Sequence, residues 1–156
     1  MLTREQILRL IPHQGTMCLL DRVLTWSAAE IVCAASSHTA PGNPLRRDGR
    51  LGAICGIEYG LQAAALHGAL VRGGAAGGAA AAADLCMPPP AYLAALRGLE
   101  LFVEYLDDPA LGVLRITAAA DLVSAGGSIY RFTVAAEAAR PLLRGRATIA
   151  FSGRAA

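Results

Sequence analysis

Four cysteines, Cys18, Cys33, Cys55 and Cys86, lie far apart in 156 residues, and no two form a CxxC. That spacing leaves no zinc ribbon and no disulfide framework, so the expectation is reduced thiols in a cytoplasmic protein. Neither a metal nor a cofactor is called for. Charge is scarce as well, at 17% of residues and a formal net of +2. Nucleic-acid binding would need a dense one-sided basic stripe, whereas these arginines are scattered apart from Arg46, Arg47 and Arg50 around Asp48. The opening Met1–Glu5 is polar where a secretory leader needs an apolar run. The apolar stretch from Leu61 to Leu85 is interrupted by His67, Arg72 and repeated glycines, which argues against a membrane span.

What the chain does have is apolar bulk. Hydrophobic residues make up 54%, enough to bury a sizeable core, and the length suits one domain over residues 1–156. Much of that fraction is alanine, which fills space but contributes little area per residue. A core built this way gains from a partner's surface, so an oligomer is expected.

Along the chain, Thr3 and Gln6 have capping-box spacing ahead of Ile7, Leu8, Leu10 and Ile11. A short helix should end before Pro12. Met17–Trp26 and Glu30–Ser36 read as strands that pair as a hairpin across Ser27-Ala28-Ala29. Thr39–Leu51 is rich in Pro, Gly, Asn and Asp and reads as a long irregular loop, a kind more often functional than idle. Ala53–Val71 is the one long helix, apolar nearly all round and therefore buried on most sides. Gly73–Gly78 breaks it, and the low-complexity run Ala79–Ala83 reads as a flexible crossing. Ala95–Leu106 is β-prone. Period-two alternation then runs through Leu114–Leu122, Tyr130–Glu137 and Leu143–Phe151, the signature of antiparallel strands with one face buried. This order predicts an α+β fold with one curved antiparallel sheet wrapped around a long central helix, the hotdog architecture. A ferredoxin-like fold would need a second crossover helix among the late strands, and there is no room for one.

Two segments resemble the hotdog dehydratases that act on 3-hydroxyacyl chains carried by acyl carrier protein. The first is Ile11-Pro12-His13-Gln14-Gly15 running through Leu19-Leu20-Asp21-Arg22-Val23, similar to that family's opening Leu-Pro-His-Arg segment and its strand ending Val-Asp-Arg-Val. The second is Glu58-Tyr59-Gly60-Leu61-Gln62, similar to the family's catalytic acid followed four residues later by glutamine. Pro12-His13-Gln14-Gly15, Asn43-Pro44-Leu45-Arg46 and Gly56-Ile57-Glu58-Tyr59 carry a closer likeness, to the dehydratase-like proteins of aryl-polyene clusters. The resemblance implies lyase chemistry on a phosphopantetheine-linked acyl chain. It also implies an acyl carrier protein as partner, and a homodimer or a heterodimer with a related hotdog subunit.

Dehydration of a 3-hydroxyacyl thioester needs a base for the C2 proton, an acid for the departing hydroxyl and donors for the thioester oxygen. Glu58 is the candidate acid. Its neighbours Ile54, Cys55 and Leu61 should desolvate it and raise its pKa. Gln62, one turn on, should share its face, where it can hydrogen-bond Glu58, and is a candidate for substrate binding. Backbone N–H groups around Gly52 and Ala53 are candidate donors to the carbonyl. As a glutamate in the first turns of a helix, Glu58 would also stabilise the helix dipole without any catalytic role. The family's base is a histidine in a His-Phe-Pro-Gly loop; at that position this chain has Pro44, and the loop from Asn43 to Gly49 holds no histidine. His38, at the mouth of the same loop, is the candidate base, and His13 a structural or substrate-contacting residue. His67, nine residues from Glu58, falls about 13 Å along the helix on its other side. The alternative is that acid and base come from different subunits, so that a histidine-bearing hotdog partner supplies the base. Arg46, Arg47 and Arg50 are either a solvated loop or a contact for the carrier's acidic surface. Cys55 reads as a small core thiol rather than a nucleophile. Two other readings compete: a non-catalytic subunit completing a partner's acyl pocket, and a hotdog acyl thioesterase, which would release free acid.

Overall fold

The computed structural model describes residues 1–73 and 91–152. A short helix α1 (Arg4–Leu8) leads into a 3₁₀ turn at Gly15–Met17, then β1 (Arg22–Trp26), β2 (Glu30–Ala35) and a 3₁₀ turn at Ser37–Thr39. The long helix α2 (Gly56–Arg72) follows a 3₁₀ turn at Ala53–Cys55. The strands β3 (Ala91–Leu101), β4 (Leu114–Val123), β5 (Gly127–Ala135) and β6 (Pro141–Phe151) complete the order. They form a six-stranded sheet in the order β1-β2-β4-β5-β6-β3. Every neighbouring pair is antiparallel. The alanine run Ala79–Ala83, and the glycine break beyond Gly73, lie outside the described residues.

The elements follow from their residues. At α1, Gln6 Oε1 accepts the Thr3 N–H at 2.9 Å, as the capping-box spacing implies. The β1–β2 turn is closed by the Ser27 hydroxyl, which accepts the N–H groups of Ala29 and Glu30. In β4 and β5 the alternating apolar residues Leu114, Ile116, Ala118, Tyr130, Phe132 and Val134 are buried. They meet the buried side of α2, which lies against β2, β4, β5 and β6. Gly60 lets the helix approach: a Cβ there would come 2.5 Å from the Phe132 ring. By length and composition alone Ala53–Arg72 could cross a membrane, but it is the mostly buried core helix of this sheet.

Two elements differ from the sequence expectation. Met17 closes the 3₁₀ turn, and Cys18–Leu20 after it joins no strand ladder. Cys18, Leu19 and Leu20 are fully buried, and the Leu19 N–H donates to the Gln62 side chain at 2.9 Å instead of to a neighbouring strand. The strand expected over Ala95–Leu106 runs from Ala91 to Leu101. It is an edge strand, exposed along much of its length, with register shifts at Leu93/Ala95 and Arg97/Glu100. Bulges of that kind break the period-two pattern by which a strand is recognised.

Candidate active site

Glu58 lies in the first turn of α2, and two side chains bond its carboxylate. His13 Nε2 stands 3.0 Å from Glu58 Oε1. Gln62 Nε2, one helical turn on, donates to the same oxygen at 3.0 Å. The same Gln62 amide donates to the Met17 carbonyl at 2.8 Å, and its oxygen accepts the Leu19 N–H at 2.9 Å. Gln62 is fully buried, with both ends of its amide engaged. It fastens the Met17–Leu19 segment to the helix and orients the carboxylate, rather than facing open space.

His13 is held by its own turn. Gln14 Nε2 donates back to the carbonyls of Leu8 and Ile11, at 2.7 and 3.2 Å. Arg4 bonds the carbonyls of Gly15 and Leu20, at 2.9 and 3.1 Å, across a Gly15 with φ of 57°. Pro12, the fixed Gly15 turn and these bonds leave the imidazole aimed at the helix.

The expectation that burial would raise the Glu58 pKa is overturned. The hydrogen bond from His13 holds the carboxyl below its ordinary value, outweighing desolvation, with Gln62 adding to the effect. The pair is partly open, at 29% and 28% side-chain exposure, so the ionised form keeps some water. Backbone donors near Gly52 and Ala53 also differ from expectation, because the Ala53 N–H is taken by the Glu104 carbonyl at 2.9 Å.

The structure brings His13, not His38, to Glu58. His38 is 1% exposed in the Ser37–Thr39 turn, and neither ring nitrogen has a hydrogen-bond partner. Burial pushes its pKa down, and the nearest charges are Asp21, Arg46 and Asp107 rather than Glu58. His67 is fully buried between the Tyr130 hydroxyl (2.8 Å) and the Ser27 carbonyl (2.9 Å). Cys55 donates to the Leu45 carbonyl at 3.6 Å, and burial raises its pKa, which is no nucleophile's setting.

The long loop is fastened from within. Asn43 donates to the Ser37 carbonyl (2.9 Å) and the Tyr59 hydroxyl (3.0 Å), and its own oxygen accepts the Leu45 N–H. The Ser37 hydroxyl donates to the Leu19 carbonyl, so at 2.9 Å it accepts from Tyr59. Arg46 and Arg50 both bond Asp107, and the Arg50 guanidinium lies 3.7 Å from the Tyr105 ring centre. These two arginines are thus staples of the loop. The Arg47 guanidinium donates to the neighbouring Arg46 carbonyl.

A pocket of about 490 Å³ opens from His13 and Glu58 along α2. Its helix wall is Leu61, Ala64, Ala65 and Gly68, and its sheet wall includes Tyr92, Leu93 and Ile149. Among the described residues no three His, Cys, Asp or Glu side chains come together in a metal-like cluster. The arrangement offers an ionisable pair at the mouth of an apolar slot, suited to proton transfer on an elongated apolar molecule.

A six-stranded antiparallel sheet around one buried helix, with a carboxylate near that helix's start, defines a hotdog-fold protein. Residues 5–151 match the family model ApeP-like, described as ApeP dehydratase, and the chain belongs to that family. The fold is similar to a chain of the dehydratase heterocomplex ApeI:P from Xenorhabdus doucetiae, with TM-score 0.78 and 19% identity over 95% of this chain and 91% of that one. It is also similar to a hypothetical thioesterase with coenzyme A from Streptococcus pneumoniae, with TM-score 0.56 and 11% identity over 86% and 88%. The PaaI protein of E. coli, from the phenylacetic acid degradation operon, follows at TM-score 0.55 and 9% identity over 84% and 78%. No curated protein matches the chain.

Proposed function

We propose that this chain is the Glu58-bearing subunit of a dehydratase that removes water from a carrier-bound 3-hydroxyacyl thioester, working beside a histidine-bearing hotdog partner. The observation that carries this reading is the Glu58–His13 pair at the mouth of the apolar pocket. A carboxylate held below its usual pKa is a poor lone acid. Paired with an imidazole, it becomes one end of a shared proton. The partner's histidine takes the C2 proton, electron density moves into the thioester carbonyl, and the C3–O bond breaks as the His13–Glu58 pair delivers a proton to the leaving hydroxyl. The partner's imidazolium then returns the proton to the pair, so the cycle closes with one water released. Gln62 is a positioning residue that holds the carboxylate.

Support for a partner's base comes from His38, whose buried ring faces neither Glu58 nor the pocket, and from the lack of a histidine in the 43–49 loop. The similar ApeI:P structure is a heterocomplex. The test is an enoyl-absorbance assay with 3-hydroxyacyl carrier protein, using the chain alone and mixed with a histidine-bearing hotdog subunit. Activity is expected in the mixture only, with Glu58→Gln in the mixture slower by about 10²–10⁴-fold. An enzymatic rate from the pure chain would overturn the shared site. An unchanged rate for the Glu58→Gln mixture would leave the chain a pocket-completing subunit without catalysis.

A further inference from the structure

Glu58, Leu61, Ala65, Gly68 and Arg72 recur at helical spacing and lie on one face of α2, lining the same pocket. The pocket therefore has a second polar pole. Arg72 is in the last turn, where an arginine commonly serves the helix dipole by reaching the terminal carbonyls. Its guanidinium does something else. It folds back along the helix, so that a Cβ on Gly68 would come 3.2 Å from Arg72 Nη1 and 3.7 Å from the Tyr130 hydroxyl. It also stands 5.5 Å from the Phe151 ring centre. Among the described residues it has no carboxylate partner and no hydrogen bond. Partial burial lowers its pKa, and the Tyr130 hydroxyl acts in the other direction.

We infer that Arg72 forms an oxyanion subsite at the far end of the pocket, recognising a carboxylate or phosphate group on the molecule whose reacting carbon lies at Glu58. The inference rests on the acyl-pocket reading above and names the ligand's other end. Gly68 is ten residues from Glu58, so the guanidinium over it lies about 15 Å along the helix. An extended chain advances about 1.2 Å per bond, since one residue's three bonds span about 3.6 Å. The oxyanion therefore sits about a dozen bonds from the reaction centre. An acidic end on the acyl chain itself meets that description directly, and the phosphate of the carrying arm, about sixteen bonds from the reacting carbon, meets it with the arm bent. Planar, permanently charged arginine suits either one, as a bidentate partner.

Binding of three inert acyl-pantetheine thioethers to the full chain, measured by calorimetry, tests this. One ends in a methyl group, one in a carboxylate, and one is methyl-ended with a phosphate on the pantetheine. One of the two charged ligands should bind about tenfold or more tightly than the neutral parent. That gain should vanish in Arg72→Met and partly persist in Arg72→Lys. A gain in the second ligand assigns the oxyanion to the acyl chain, and a gain in the third assigns it to the arm. If the neutral ligand binds but neither charge helps, or if the gain survives in Arg72→Met, the subsite is wrong and the acyl pocket stands. If none of the three binds, the acyl-pocket reading fails and the subsite with it. Arg72 is exposed, so thermal unfolding of both variants should match the parent.

Discussion

On Glu58, burial and pairing oppose each other, and distance decides between them. Desolvation favours the neutral acid, but a hydrogen bond at 3.0 Å from His13 favours the carboxylate and is the larger effect. His13→Ala removes that effect, and the Glu58 pKa should rise, read by carbon NMR titration of its carboxyl; an unchanged value would mean the pair does not form in solution. The same shift links to stability. A carboxyl whose folded pKa is depressed stabilises the fold above its ordinary value of 4.5, and that contribution is lost as pH falls through the folded value. His38 acts in a different window. Its folded pKa is lowered from 6.5 by burial, so the unfolded chain takes up the proton more readily and the fold loses stability as pH drops below 6.5. His38→Leu should therefore flatten the stability–pH curve just below 6.5, measured by urea midpoints across pH. A curve as steep as the parent's would show that His38 is not charged on unfolding there.

Helix α2 and the late strands were readable because each carries its own period. The apolar run without β-branched crowding marks the helix, and the alternation in β4, β5 and β6 marks buried and wet faces. Gln62 was legible too, since four residues on a helix bring it back to Glu58. His13 as the partner was not, because contact across 45 residues depends on the Gly15 turn and on Arg4 and Gln14 bonding backbone carbonyls. Nor was the fate of Cys18–Leu20, whose apolar run looks like a strand until the Gln62 amide takes its backbone. Packing between elements also hides in small residues. Gly60 reads as a helix weakener, yet its missing Cβ admits Phe132. Gly60→Ala gains helix propensity but forces the ring aside, and overpacking should win by about 1–3 kcal/mol of lost stability in denaturant titration. A stability gain would mean the ring moves freely.

At the scale of the whole molecule, the sheet has two edges, β1 and β3, and they are finished differently. Thr3 bridges Arg22 at the start of β1, so the first edge is partly covered by the chain's own beginning. The β3 edge carries Tyr92, Leu93 and Leu101 at 59%, 43% and 46% exposure, without a covering segment among the described residues. An exposed apolar edge strand is a template for another strand. Tyr92 and Leu93 also line the pocket, so whatever pairs with β3 would close the slot that leads to Glu58. Under the proposed shared site, association and catalysis become one property, because the surface that completes the sheet would also complete the site. Leu93→Lys with Leu101→Lys places two charges on that edge while leaving the buried core untouched. The double variant should keep the parent's unfolding midpoint to within about 0.5 kcal/mol. By light scattering it should fail to associate with itself or with a hotdog partner, and the mixed-subunit dehydration rate should disappear with the complex. Full association in the double variant would move the interface off β3 and separate the pocket from assembly.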